Sequence, residues 1–439
     1  MESTEPKAVD PPIEKQEISK EPQEQQKEDQ QKPQEISADP QDTTDSKKDK
    51  NKKEMYERFE KTKYIPPDPE REEERKHQKK NPKRKTVMIV GYNGADFCGS
   101  QKQSEDGIRT VESDLEKALF EAGMIDYRNY GDLKKIRWTR ATRTDKRVHA
   151  LQNCFSGKLL IDQDKELKDL AEEVNAKLCP EIRIFGFLPG LGGFDAKHAA
   201  SFREYEYYMP TFMLSSDINI KYTVPEDQPI QDIDPDNPRC IKRVKVNVDS
   251  SCLEEMYEYR LPDAKKKILE GLLSKFEGTH KYHNYTKQMK SKDKNSQRYI
   301  MQVKVLDYRV YDGIEFARVF LQGQSFLYNQ IRKMMGAVFM VMHYGISEKF
   351  IENSLKDNQI NVPTAPGEGL MLNRVAFDRY NKYQRELKAP ILPFEHKKEE
   401  MEEFRVGLVK FICSTEKNTN CFTKWLGWMH EARSNFISI

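Results

Sequence analysis

The sequence predicts an α+β fold built on a mostly antiparallel sheet, and three observations carry that expectation. Apolar, β-rich runs of strand length recur from Lys85 onward, with amphipathic stretches of helical spacing among them. The two kinds mix without a steady strand–helix–strand rhythm, which disfavours a parallel sheet. Finally, Asp312-Gly313 separates two apolar runs, the signature of a two-residue hairpin turn.

Taken in order, residues 1–84 are Glu, Lys, Gln, Asp, Pro and Ser with almost no apolar clusters. Such a stretch cannot bury enough surface to offset its ordering entropy and is expected to be disordered. The ordered part opens with Lys85–Tyr92 as a strand ended by Asn93-Gly94, and Thr110–Phe120 reads as a capped amphipathic helix. Ile136–Arg140, Asn153–Ile161, Ile182–Leu188 and Tyr205–Met209 read as strands, with Leu167–Leu178 as a helix between them. Tyr205–Met209 alternates as a strand with one buried face does. Residues 213–262, rich in Asp, Pro and Lys, read as an insertion or long connection. Ala264–Phe276 is an expected helix, Ile300–Tyr308 and Ile314–Leu321 a hairpin, and Phe326–His343 a long apolar helix carrying Arg332 and Lys333. Residues 391–439 form an expected helical extension, made of a charged helix near Glu399–Phe411 and the Trp425–Met429 segment.

Of the 439 residues, 74 are Lys or Arg and 72 Asp or Glu, so the net charge of +2 hides an acidic tail ahead of a more basic body. The seven cysteines form no Cys-x-x-Cys pair, which suits buried thiols in a reducing compartment better than disulfides. No apolar run reaches membrane-spanning length, and the acid-rich amino end resembles neither a secretory signal nor a mitochondrial presequence. The basic run Lys79–Lys85 fits either a nuclear import signal or a phosphate-contacting arm.

The most informative stretch is Arg140-Ala141-Thr142-Arg143-Thr144-Asp145-Lys146-Arg147-Val148-His149-Ala150. A carboxylate crowded by arginines is expected to stay ionised, ready to act as nucleophile or base, and the same cations would attract a polyanion. The alternative is a solvated charged loop. Other chemistries lack their parts: Gly186–Gly193 is followed by no Lys-Ser/Thr of a phosphate loop, and His280 and His283 have no further ligands at zinc spacing. No His/Cys-x-Glu with Pro-Cys-x-x-Cys of a deaminase is present. Tyr205 and Tyr207, two apart on one strand, suit either core packing or stacking on a base. Arg332 suits either a charge reaching out of a buried helix or a partner for a carboxylate or phosphate.

Several segments together resemble the TruA family of tRNA pseudouridine synthases, and within it the eukaryotic multisite branch. Met88–Gln101 is similar to the family's opening strand and turn, Thr110–Leu119 to its first helix, and Arg143–Ala150 to its active-site motif. Phe194-Asp195-Ala196 with Arg203–Tyr207, then Gly278–Thr286, Gly323–Met335 and Ala365–Leu372, follow in family order. The resemblance implies a pseudouridine synthase fold of two subdomains, near 85–212 and 263–390, sharing one continuous sheet with a central cleft. It implies cofactor-free isomerisation of uridine in tRNA, at several sites and in other structured RNAs, after the base is flipped out. Asp145 would be the catalytic residue, as nucleophile or as base toward a ribose proton. Arg332 would pair with it and keep it ionised, Tyr205 would stack on the base and could accept its C5 proton, Arg143 would hold the flipped nucleotide, and Leu370 would close the pocket. The expected partners are tRNA and other structured RNA, with a nuclear location, the cytoplasm and mitochondrion being alternatives, and either a monomeric or homodimeric state. A non-catalytic tRNA-binding protein of the same fold is the rival reading. Arg147 departs from the family, which has glycine there; at a positive φ an arginine would cost about 1 kcal/mol.

Overall fold

Strand β1 (Lys83–Tyr92) is buried from Lys85 onward because it lies between two partners, β3 (His149–Leu160) and β4 (Ile182–Pro189), both antiparallel to it. The computed structural model describes residues 81–105, 107–225, 245–384 and 397–437; most of the charged tail, including Lys79 and Lys80 of the basic run 79–85, lies outside the described residues. After β1, helix α1 (Val111–Glu121) starts at a capping box in which Thr110 and Ser113 exchange side-chain-to-backbone hydrogen bonds. It buries Val111, Leu115, Ala118 and Leu119, the apolar stripe that the spacing predicts.

The expected strand at Ile136–Arg140 shrinks to β2 (Thr139–Arg140), paired with β3. Arg137, at φ +49°, turns the chain just before it, and Ile136 and Trp138 enter the core from irregular backbone. Helix α2 (Leu167–Asn175) precedes β4, and the short α3 (Ala196–Ala199) precedes β5 (Phe202–Pro210). Strand β5 is buried on both faces, not one: Tyr205 and Tyr207 meet Phe326 and Pro366 on one side, and Glu206 meets Arg405 on the other.

Beyond β5, a two-residue pairing joins β6 (Tyr222–Thr223) to β7 (Asn247–Val248), and α4 (Leu253–Glu258) follows. Met213, Leu214, Ile218 and Met256 of this stretch join the core. Helix α5 (Asp263–Ser274) leads to β8 (Gly278–Lys281), β9 (Gln297–Tyr311) and β10 (Ile314–Gly323). The β9–β10 hairpin turns at Asp312 (φ +48°) and Gly313 (φ +87°), the two positive φ values of a type I′ turn.

Helix α6 (Gln330–Tyr344) begins four residues later than its apolar pattern suggests. Asn329 sits at φ +63° in the left-handed region, which asparagine tolerates, and the chain cannot be helical before it. Arg332 therefore occupies the first turn of α6. Helix α7 (Lys349–Ser354) leads toward β11 (Leu370–Ala376), followed by α8 (Asp378–Gln384).

The main sheet runs β4-β1-β3-β11-β5-β10-β9-β8, with β2 beside β3. Every pairing in it is antiparallel except β11 with β3, where Met371 faces His149. That parallel pair brings the residues just before β3 and just before β11 to the same edge. Helix α9 (Lys398–Thr419) crosses the face to which Glu206 points, packing Phe404 on Phe185 and Phe411 on His149 with ring centres 5.6 and 5.8 Å apart. Helix α10 (Cys421–Ala432) is capped by Glu416, which accepts from the Phe422 and Thr423 amides at 2.7 and 3.1 Å.

Candidate active site

The loop between β2 and β3 carries Asp145, and it is held from below by buried polar groups. Tyr92 shares a 2.8 Å hydrogen bond with Thr144, while Asn153 donates to the Tyr92 hydroxyl and to the Thr142 carbonyl, each at 3.1 Å. Ser100 accepts from the Thr144 amide at 2.9 Å, and its own amide donates to the Thr144 carbonyl at 3.1 Å. At Gly94 a Cβ would lie 2.1 Å from the Val148 carbonyl oxygen, so only glycine lets β1's turn pass this close. Buried His149 accepts at Nδ1 from the Gly94 amide at 3.1 Å, and burial lowers its pKa to about 4, so the ring is neutral. With so many fixed partners the loop cannot be a solvated coil.

The Val148 amide donates to the Asp145 carbonyl at 3.2 Å, closing a turn with Arg147 in its third position at φ +65°. This is the positive φ that suits glycine. Arg147 tolerates it while reaching Glu368 with Nη1 at 2.8 Å.

The cation facing Asp145 comes from far along the chain. Arg332 Nη1 lies 3.7 Å from Asp145 Oδ2, and the two side chains are 12% and 13% exposed. The guanidinium is itself held, donating from Nε to the Ala365 carbonyl at 2.7 Å and from Nη1 to Asn329 Oδ1 at 3.2 Å. Burial raises the Asp145 pKa above the usual carboxylate range; Arg332, the Asn329 amide and Lys287 pull it back without cancelling the shift. The simple expectation of a carboxylate held low by arginines is therefore corrected. None of the loop's own arginines makes an ion pair with Asp145 among the described residues: Arg140 forks onto buried Glu112, Arg147 goes to Glu368, and Arg143 is exposed.

Tyr205 is 5% exposed on the face of β5 turned toward α6, its hydroxyl 3.2 Å from that of Thr142 and its ring edge-on to Phe326 at 5.1 Å. Burial raises its pKa, and the nearby Asp145 charge adds to this, so the phenol stays protonated. In that state it offers a ring face and a hydroxyl, not a phenolate base. Tyr207, two residues on, donates to the Pro366 carbonyl at 2.9 Å. Leu370 opens β11 opposite Tyr207 and is 6% exposed. The turn before it passes against the Asp145 loop: a Cβ on Gly367 would meet the Lys146 carbonyl oxygen at 2.9 Å and the Arg332 guanidinium carbon at 3.6 Å. The structure thus brings Asp145, Arg332, Tyr205 and the segment leading to Leu370 together, with Arg143 exposed on the loop two residues before Asp145.

Five contributors carried no sequence signal strong enough to single them out. Thr142 orients Tyr205, Phe326 packs on it, and the Asn329 amide and Lys287 face Asp145. The fifth, Arg203, is buried and spends its guanidinium on backbone carbonyls: Ala141 at 2.8 Å, Gln324 at 2.8 Å and Lys197 at 3.1 Å. It ties β5 to the Asp145 loop and to the segment leading into α6. Its adjacency to Glu204-Tyr205 was the available clue.

A family model described as tRNA pseudouridine synthase matches residues 272–378, the stretch that contains Arg332 and Leu370. Pseudouridylate synthase 1 homolog of Mus musculus is 33% identical over 312 residues, covering 71% of this chain and 64% of the mouse protein. tRNA pseudouridine synthase 1 of Saccharomyces cerevisiae is 30% identical over 349 residues, covering 69% and 62%, and that of Candida albicans 27% over 416, covering 81% and 67%. The chain thus spans about two thirds of the length of these relatives. With the mixed, mostly antiparallel sheet and the helices around it, these matches show that the chain belongs to the tRNA pseudouridine synthase family.

Proposed function

We propose that this chain isomerises uridine to pseudouridine in tRNA, with Asp145 as the catalytic residue. The observation that carries the reading is the Asp145–Arg332 pair, 3.7 Å apart, mostly buried and set beside Tyr205. The reaction breaks the bond from the ribose C1′ to N1 and forms one from C1′ to C5. The base takes a proton at N1 and loses one from C5, so atoms balance without oxidant or cofactor. Asp145 acts as the nucleophile or as the base toward a ribose proton, and either role needs its ionised form. Burial opposes that form, and Arg332, the Asn329 amide and Lys287 favour it. This balance leaves a carboxylate that is poorly solvated and only partly compensated by its partners, which is a reactive state.

A stacked uracil reaches such a site only by leaving its helix, at a cost of a few kcal/mol. Tyr205 supplies the face against which the extruded base lies, Leu370 closes the pocket from β11, and exposed Arg143 meets the phosphate at its edge. The cleft lies where two subdomains, near 85–212 and 263–390, meet along the shared sheet. Several tRNA positions and other structured RNAs fall within the proposed substrate range.

The test is to incubate the purified chain with unmodified bulk tRNA and map pseudouridine. New pseudouridines are expected, and none with Asp145→Ala, whose tRNA affinity should stay within a few fold. Turnover by Asp145→Ala would overturn the site assignment. Binding without turnover by the unaltered chain, on every RNA pool tried, would favour the RNA-binding reading.

A further inference from the structure

We infer that Tyr328 and Lys287 form a second nucleotide subsite at the mouth of the cleft, stacking and neutralising the nucleotide beside the target uridine in a single-stranded stretch of the RNA. This rests on the proposed RNA-isomerising function and extends it to Tyr328, which the catalytic geometry leaves unused, and to a second role for Lys287, whose charge also favours ionised Asp145. Tyr328 is 56% exposed, and single exposed aromatics are ordinary on protein surfaces. This one differs in its support. Its amino-side neighbour Leu327 donates its amide to Gln330 Oε1 at 2.8 Å. Its carboxyl-side neighbour Asn329 is held in the left-handed region by Arg332, and its amide faces Asp145. The backbone is therefore clamped on both sides while the ring projects into solvent, one residue from a contact to the catalytic carboxylate.

Lys287 stands over that ring, its Nζ 5.9 Å from the ring centre. It is exposed and, among the described residues, within ion-pair distance of no carboxylate. The segment that presents it is rigid. Asn284 donates to the Ser354 carbonyl at 2.9 Å and accepts from the Ile360 amide at 3.0 Å, and Lys333 donates to the Asn284 carbonyl at 3.2 Å. Tyr285 is fully buried, with its hydroxyl 2.6 Å from that of Ser354. A fixed aromatic with an unpaired cation beside it is the arrangement that single-stranded nucleic acid uses, with the base on the ring and the phosphate at the ammonium. The strand that delivers a flipped uridine to Asp145 must continue past this mouth, so its next nucleotide is the occupant.

The experiment has two readouts on the full chain. With bulk tRNA as substrate, Tyr328→Ala should raise the apparent KM about 5- to 100-fold, the range of one base–aromatic stack, and change kcat by less than threefold. Tyr328→Trp, which keeps a π face, should recover most of that loss. Lys287→Ala should reduce the slope of log Kd against log salt by about 0.7, the value for one phosphate contact on a single strand. In the second readout, a seven-nucleotide RNA with a central uridine and 2-aminopurine at either neighbour should show quenched fluorescence on the unaltered chain and not on Tyr328→Ala. Unchanged KM, salt slope and quenching in these variants would overturn the subsite, as would a Tyr328→Trp variant no better than Tyr328→Ala. Absence of turnover in the unaltered chain would instead overturn the function on which it rests, while the quenching arm would still decide the subsite.

Discussion

The two faces of β5 carry buried carboxylate–arginine clusters with opposite properties. On one face Glu206 accepts from Arg318 at 2.7 and 2.9 Å, from Arg405 at 3.0 and 3.2 Å and from Tyr208 at 2.7 Å. Burial alone would raise its pKa, but these partners outweigh it and the carboxyl is held below the usual range. On the other face, beside Tyr205, Asp145 has one guanidinium at 3.7 Å and a pKa shifted upward. A saturated carboxylate has no lone pair to spare and little to gain from a new partner. A buried and under-coordinated one retains both, which is the condition for acting on a substrate. Burial of an acid with arginine therefore says little by itself; the number and distance of the donors separate a structural pair from a reactive one.

The contrast is open to direct test. Asp145→Ala should remove about 10⁴-fold or more of the isomerising rate while leaving thermal stability unchanged or slightly raised, because it deletes a poorly solvated charge. Glu206→Ala should do the reverse. It removes the main partner of Arg318 and Arg405, leaving them Asp307 at 3.3 Å and Glu402 at 3.8 Å, and is expected to cost about 3 kcal/mol of stability, read by urea denaturation, with normal activity per folded molecule. If Glu206→Ala folds as well as the parent but loses turnover, the division between the two faces is wrong.

Arg332→Met addresses the carboxylate through its partner. Because the proposed roles of Asp145 need its ionised form and Arg332 favours that form, removal of Arg332 should move the acid limb of the kcat/KM profile to higher pH and lower the rate at neutrality. An acid limb that stays in place would separate Arg332 from the ionisation of Asp145.

A smaller effect is expected beneath the loop. His149 ionises near 4 in the folded chain against an ordinary 6.5, so the unfolded chain binds its proton first as pH falls. Its contribution to stability is complete above about pH 6.5 and declines by roughly 3 kcal/mol toward pH 4. The variant His149→Gln should flatten that part of the Tm-against-pH curve. Smallest of all is Arg147→Gly. Relief of the positive φ is worth about 1 kcal/mol, and loss of an exposed ion pair costs about 0–1 kcal/mol, so stability should hold or rise slightly. A fall of several kcal/mol would show that the Glu368 contact does more than an exposed pair can.

Much of the fold was legible because its signals are local. Asp312-Gly313 specified a hairpin by its φ preferences, and the apolar stripe of α1 specified a buried helix face. Three local readings failed, each for a tertiary reason. Ile136–Arg140 has strand composition, but Arg137 turns the chain and lets Trp138 donate to buried Glu112 at 2.9 Å. Phe326 to Asn329 continue an apolar helical pattern, yet they stay out of the helix, placing Phe326 on Tyr205 and Asn329 beside Asp145. Tyr205–Met209 alternates as a half-exposed strand does, yet α9, about 190 residues downstream, buries its second face.

For the candidate site the division is similar. The sequence by itself determined which residue types stand where: an aspartate in a short basic loop, tyrosines two apart on a strand, an arginine near the start of an apolar helix. Those follow from composition and spacing, which need no knowledge of neighbours. It could not determine which arginine faces Asp145, since the three within the loop were the nearest in sequence and the partner lies 187 positions on. Nor could it determine the sign of the carboxylate's shift, because desolvation depends on everything packed around a group. Those two facts were decided by the sheet, whose one parallel pairing brings the starts of β3 and β11 to the same edge, where the first turn of α6 meets them.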